Sequence, residues 1–211
     1  YRSNAQSRAL EEALLRASIP YRIYGGLRFY ERLEIKNAIA YLKVIFNNKD
    51  NPSFERSISN PTRGVGEKTL GKIRQAAKKF NISYIKASAK LIDEGSIGGR
   101  GGAGLKDYLE FIIGCKKFIE ENTLSELMEL IIKESGLYAY HAKEAGEKGK
   151  TRTENLEELI TATKNFEQSI KDEKTNVEIA ENYLDVISLD SGDRQASEHD
   201  DAAQLLTMHS A

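Results

Sequence analysis

Asn60–Phe80, NPTRGVGEKTLGKIRQAAKKF, is the stretch whose reading decides the rest. Gly64 and Gly66 flank Val65, and an amphipathic helical pattern starts directly after them. Glycine lacks a Cβ and tolerates positive φ, so such a corner lets the backbone come close to another molecule. The first N–H groups of the following helix have no intrahelical acceptor and carry the positive end of its dipole. Together these features predict an anion seat. Arg56, Arg63, Lys68, Lys72, Arg74, Lys78 and Lys79 surround it, with Glu55 and Glu67 as the nearby acids. The chain as a whole has net charge -1, so the positive charge is local. A local cationic patch around an anion seat points to a phosphodiester backbone as partner.

The glycine–valine–glycine turn, followed by Glu67, Lys68, Thr69, Leu70 and Ile73, resembles a helix-hairpin-helix motif. Such motifs hold duplex DNA by its phosphates without reading sequence. The same pattern also suits a tight helix–helix connection whose lysines are simply solvated.

Outward from that stretch the sequence reads as helical. Of 211 residues, 30% are charged and three are proline, enough chain for one large or two small domains. Apolar spacing predicts helices over Ser3–Ser18 (with Leu10, Ala13, Leu14 and Ala17 on one face), Glu31–Phe46, Ser83–Asp93 and Leu105–Glu121. Asp50-Asn51-Pro52 starts another by N-cap and N1 proline. Thr123…Glu126, Thr151…Glu154 and Thr175…Glu178 are helix-opening signatures. Tyr21–Tyr24 and Gln204–Met208 are short strand-like runs, free to pair with each other or with sequence outside the chain. Gly25 and Gly26 form a natural hinge, and Ser188–Asp201 reads as a polar linker.

Several chemistries find no support. Gly99–Gly104 satisfies G-x-G-x-x-G, but a helix rather than a strand precedes it, and Lys106 comes one place late for a P-loop. Gly95–Gly104 is therefore expected to be a helix–helix loop. His141, His199 and His209 are scattered, so no metal and no catalytic centre is expected. The single cysteine, Cys115, sits in a helical pattern as core filler and implies a reducing, cytoplasmic setting. No apolar run has membrane-spanning length, and no membrane partner is expected. The start at Tyr1 and the end at Ala211 read as those of a piece of a longer protein.

Segments that occur in one order resemble the UvrD/PcrA/Rep-type superfamily-one DNA helicases. They are Tyr1–Arg8, Tyr24–Arg32 with Glu34-Ile35-Lys36, Pro61–Gly66, Glu154–Leu159 and Leu206–Ala211. The resemblance implies a mainly α fold. Residues 26–197 would be a helical subdomain, termed 2B, inserted in the second RecA-like motor domain. Residues 1–25 and 198–211 would be β-containing remnants of that motor, hinged at Gly25 and Gly26. It also implies that Gly64, Val65, Gly66 and Thr69, with Lys36 and Arg63, hold duplex phosphates. Arg2, Asn4, His209 and Ser210 would lie at the single strand. The implied whole enzyme is a 3′-to-5′ repair or replication helicase that binds and hydrolyses ATP with magnesium. No Walker lysine, magnesium-binding acid or arginine finger lies in these 211 residues, so the piece by itself is expected to hold neither cofactor and to be inactive. Expected partners are junction DNA, the rest of the motor and repair proteins. A protein-docking module for repair or transcription partners is the alternative from another class.

Overall fold

The structure, a computed structural model, describes residues 7–17, 19, 21–23, 27–170, 174–192 and 202–206. Among these are ten α-helices and a pair of three-residue strands. The order is α1 (Ser7–Arg16), β1 (Tyr21–Ile23), a 3-10 turn (Phe29–Glu31), α2 (Leu33–Phe46), α3 (Asn51–Ser59), α4 (Glu67–Phe80) and α5 (Tyr84–Asp93). There follow α6 (Gly99–Glu121), α7 (Leu124–Glu134), α8 (Leu137–Ala142), α9 (Glu147–Ser169), α10 (Asn176–Gly192) and β2 (Ala203–Leu205). The mainly α class expected from the sequence is what the chain adopts.

The core is built around α2. Its sequence, LEIKNAIAYLKVIF, is apolar on nearly every face, which requires neighbours on all sides. Helices α3, α6, α7 and α9 supply them. Tyr41 of α2 and Tyr108 of α6 lie 6.0 Å apart, and Phe54 of α3 meets Tyr108 edge-on at 5.5 Å. The Ser57 and Tyr108 hydroxyls share a 2.6 Å hydrogen bond that satisfies both within this aromatic layer. Cys115 is buried in the same core. Burial pushes its thiol up to about 12, leaving it unreactive filler.

Helix starts follow the local code where the code is present. Asp50 caps α3 through Ser53 N at 2.9 Å, with Pro52 in the first turn. Thr123 and Glu126 form a reciprocal capping box on α7. Thr175 and Glu178 do the same at the start of α10.

Three boundaries differ from expectation. Helix α6 begins at Gly99, so residues 99–104 are helical rather than loop. Helix α9 begins at Glu147, ahead of Thr151, and follows the short α8. Helix α10 runs to Gly192, into the expected linker. The first two have one physical cause: glycines at these starts admit backbone where a side chain would not fit. A Cβ at Gly104 would lie 2.0 Å from the Arg63 carbonyl oxygen, and one at Gly149 2.3 Å from that of Glu144. At Gly104 a tertiary contact thereby overrides low helix propensity, whereas at Gly149 the contact is local, with the loop that leads into α9.

The first and last described strands meet. Strands β1 and β2 pair in parallel, Tyr21 with Ala203 and Ile23 with Leu205. Helix α1 is fixed to the helical body by polar groups. Arg8 pairs with Glu158 at 2.6 Å, the Phe29 amide donates to Glu11 at 3.0 Å, and Arg32 Nη2 donates to Ser7 Oγ at 2.5 Å. The apolar face of α1 is largely open, with Leu14 half-buried. Leu10 is 43% exposed, and Ala13 and Ala17 are exposed beside it.

Candidate nucleic-acid interface

The turn between α3 and α4 is positioned from below by Arg63. Its Nη1 donates to the Pro61 carbonyl at 2.9 Å and its Nη2 to the Ser135 carbonyl at 2.7 Å. The guanidinium lies 5.6 Å from the ring centroids of both Tyr41 and Tyr108. Tyr41 in turn donates its hydroxyl to the Asn60 carbonyl at 2.8 Å. Burial pushes the Tyr41 phenol up to about 12 against the opposing pull of Arg63, so it remains a donor. Arg63 thus points inward as a bolt, and not toward the open side of the turn.

Val65 is the apolar anchor, 9% exposed, while Gly64, Gly66, Glu67 and Lys68 face solvent. Gly64 has φ +74°, the left-handed region that favours glycine. Gly66 is the N-cap of α4 with an extended backbone, and a Cβ there would meet nothing within 4 Å. The Thr69 and Leu70 amides donate to the Gly66 carbonyl at 2.9 and 3.0 Å. Among the described residues, the Gly66, Glu67 and Lys68 amides have no protein acceptor. These outward donors at the positive end of a fourteen-residue helix have the arrangement that receives an oxyanion.

The charges around the turn sort themselves. Arg74 occupies both nearby acids: its Nε and Nη2 meet Glu55 at 2.6 and 2.8 Å, and its Nη1 meets Glu67. Hydrogen bonding to Glu55 and then Glu67 raises its already high pKa further. With those carboxylates engaged, exposed Lys68 stands beside the amides without a competing acid in contact. Lys36 is exposed on α2, where Lys36, Lys43 and Arg56 line a cleft of about 180 Å³. The structure therefore gathers Gly64, Val65, Gly66 and Thr69 into one open corner, with Arg63 beneath it. Lys36 belongs to the α2 face. Arg2, Asn4, Gly25, Gly26, His209 and Ser210 lie outside the described residues.

The start of α6 is docked against the same turn. A Cβ at Gly101 would lie 3.1 Å from the Gly64 carbonyl oxygen and 3.4 Å from Thr69 Oγ1. A Cβ at Gly64 would lie 2.9 Å from Arg100 Cγ and 3.4 Å from its Nε, so the Arg100 side chain crosses the turn. The glycines at 101 and 104 are thus packing positions, filled by the backbone at 63–64, and do not form a loop that could cradle a nucleotide. Sequence reasoning passed over Arg100 with the glycine run. The available signal was Gly101 and Gly104, three apart on one helix face.

Residues 1–96 match the UvrD-like helicase C-terminal domain. All 211 residues align at 44% identity with DNA helicase II of Escherichia coli (strain K12), covering 29% of that protein. DNA helicase II of Haemophilus influenzae matches over the same span, again at 44% identity and 29% coverage. ATP-dependent DNA helicase PcrA of Bacillus subtilis (strain 168) is 34% identical over 213 residues, covering all of this chain and 29% of that protein. The chain spans under a third of the length of these curated relatives. The proteins it resembles are DNA helicases of the UvrD/PcrA type.

Proposed function

We propose that this chain is the duplex-gripping and regulatory region of an ATP-dependent 3′-to-5′ DNA helicase that acts in repair or replication. The observation that carries the reading is the Gly64–Thr69 corner, where the solvent-facing Gly66, Glu67 and Lys68 have amides with no protein acceptor among the described residues and the neighbouring acids are taken by Arg74. Backbone N–H groups and the Thr69 hydroxyl would fix a phosphate, with Lys36 and Lys68 adding screened attraction; none of these groups reads a base edge. Arg63 supports the corner from beneath. In the whole enzyme this region would hold the duplex at its junction with the single strand, and in another orientation restrain unwinding.

The division of the chain follows the same reading. Residues 26–197 form the inserted helical subdomain, and 1–25 and 198–211 belong to the motor, with the hinge at Gly25 and Gly26. Two features favour this. Parallel strands occur almost only in sheets covered on both faces, so the β1–β2 pair fits the edge of a larger sheet. The open apolar side of α1, with Leu10, Ala13 and Ala17, is a surface that further motor structure would cover. ATP and magnesium belong to the motor, so the 211-residue chain hydrolyses no ATP by itself. Arg2, Asn4, His209 and Ser210 are assigned to the single strand. DNA and the remaining motor are the partners, and repair proteins are further candidates. Among the described residues no helix is long and apolar enough to cross a membrane.

The decisive experiment is fluorescence anisotropy of a labelled hairpin duplex with the 211-residue chain. Binding is expected to be weak, indifferent to sequence, and steeply reduced by salt. Gly66→Asp should abolish it. That variant has open space for its side chain, and aspartate is a favoured N-cap, so α4 should gain about 0.5 kcal/mol or keep its stability. A Gly66→Asp protein that binds duplex as tightly as the parent would defeat the proposal.

A further inference from the structure

Among the described residues, Arg100 is a cation whose side chain lies on the corner itself, where Lys68 stands beside it and Arg63 beneath it. Its Cγ, Cδ and Nε would stand 2.9, 3.3 and 3.4 Å from a Cβ at Gly64, so the side chain runs flat across that residue. The position is imposed from behind. Gly104 admits the Arg63 carbonyl, which would lie 2.0 Å from any Cβ there, and Gly101 admits the Gly64 carbonyl and Thr69 Oγ1. The first turns of α6 are thereby held against the corner, which sets the Arg100 backbone beside Gly64. Arg100 is exposed, and no acid among the described residues pairs with it, whereas Lys90, Lys106 and Lys133 each pair with a glutamate on their own helix or at its end. Arg63 has its guanidinium occupied by carbonyls and aromatic rings; that of Arg100 is available.

From this juxtaposition we infer that Arg100 is a further phosphate-contacting residue. Its guanidinium closes over the same phosphodiester that the Gly66–Lys68 amides hold. Arginine suits the position because its planar fork meets two phosphate oxygens at once, which a lysine ammonium does not. The corner thereby becomes a two-sided clamp, with amides of α4 on one side and a side chain from α6 on the other. The glycine run at 99–104, which looks like a nucleotide loop in the sequence, serves to deliver that arginine. The inference rests on the duplex-binding reading above.

Arg100→Ala, Arg100→Lys and Gly66→Asp in the 211-residue chain, titrated with labelled hairpin duplex across a salt series, test it. Arg100→Ala should weaken binding roughly 10-fold and lower the slope of log K against log salt by about one, the loss of a single phosphate contact. Arg100→Lys should recover the slope and only part of the affinity. Parent-like affinity and slope in Arg100→Ala, alongside lost binding in Gly66→Asp, overturn the Arg100 assignment and leave the amide seat standing. A weaker Arg100→Ala with an unchanged slope also overturns it, because packing alone then explains the loss. Parent-like binding by Gly66→Asp removes the seat, and with it the clamp.

Discussion

At the scale of single residues, the two arginines at the corner have opposite duties. Arg63 follows Thr62 in a stretch crowded with cations, yet its guanidinium serves the carbonyls of Pro61 and Ser135 and the faces of Tyr41 and Tyr108. Truncating it leaves those carbonyls short of a donor and the rings without their cation. Arg63→Ala should therefore cost about 2–4 kcal/mol in a urea melt. Duplex affinity should fall as the corner loosens, but the salt slope should stay, since the Arg63 guanidinium is engaged by carbonyls and rings within the protein. This pattern separates Arg63 from Arg100 in one set of titrations. A positive charge count along the sequence weights both equally. Only the direction of each side chain distinguishes them.

At the scale of elements, the contact between the start of α6 and the turn is made by backbone on both sides. Glycine in a helix costs about 1 kcal/mol relative to alanine when nothing else acts. At Gly104 that ordering reverses, because the Arg63 carbonyl oxygen occupies the place of the Cβ. Gly104→Ala should destabilise the chain by about 1–3 kcal/mol through forced separation of α6 from the turn. It should also carry Arg100 off Gly64. Gly114 on the same helix meets nothing within 4 Å, so Gly114→Ala is the matched control and should be neutral or stabilising. Paired thermal melts of the two variants check the contrast. The helix starts at Asp50, Thr123 and Thr175 were legible in the sequence because a capping side chain lies within three residues of the amide it serves. The starts of α6 and α9 were not. For α6 the determinant is the Arg63 carbonyl of a distant segment, and for α9 it is the Glu144 carbonyl just before the helix; neither start has a capping side chain to report it.

At the scale of the whole molecule, a buried polar seam joins α2, α8 and α9. Arg32 Nη1 donates to Asn155 Oδ1 at 2.9 Å, and Asn155 Nδ2 donates to Glu34 Oε1 at 2.6 Å. Arg152 reaches Glu34 at 3.6 Å and also meets Glu144, which pairs with His141 Nδ1 at 2.6 Å. Hydrogen bonding to His141, with Arg152 assisting, holds the Glu144 carboxyl below its usual 4.5. A carboxyl that binds its proton more weakly in the fold than in the unfolded chain adds stability above its unfolded pKa. It loses that contribution as pH falls through 4.5 and below. Glu144→Gln should thus be less stable than the parent at pH 7, with the gap in Tm closing on acidification below about 4.5. Melts across that range give the comparison. A gap that stays constant with pH would mean that Glu144 contributes by shape and not by charge.

By itself the sequence determined the helical class, most helix positions, the glycine corner with its basic surroundings, and the likeness to the helicase family. All of these depend on short-range spacing or on residues adjacent in the chain, where periodicity, capping and φ freedom act. Tertiary structure alone decided which cations face outward, which glycines are packing sites, and which side of α1 is covered. Those outcomes depend on atoms brought together from segments tens of residues apart, such as Arg63 with Ser135 and Gly64 with Arg100. A side chain's charge is written in its own letter, but its partner is chosen by the packing of the rest.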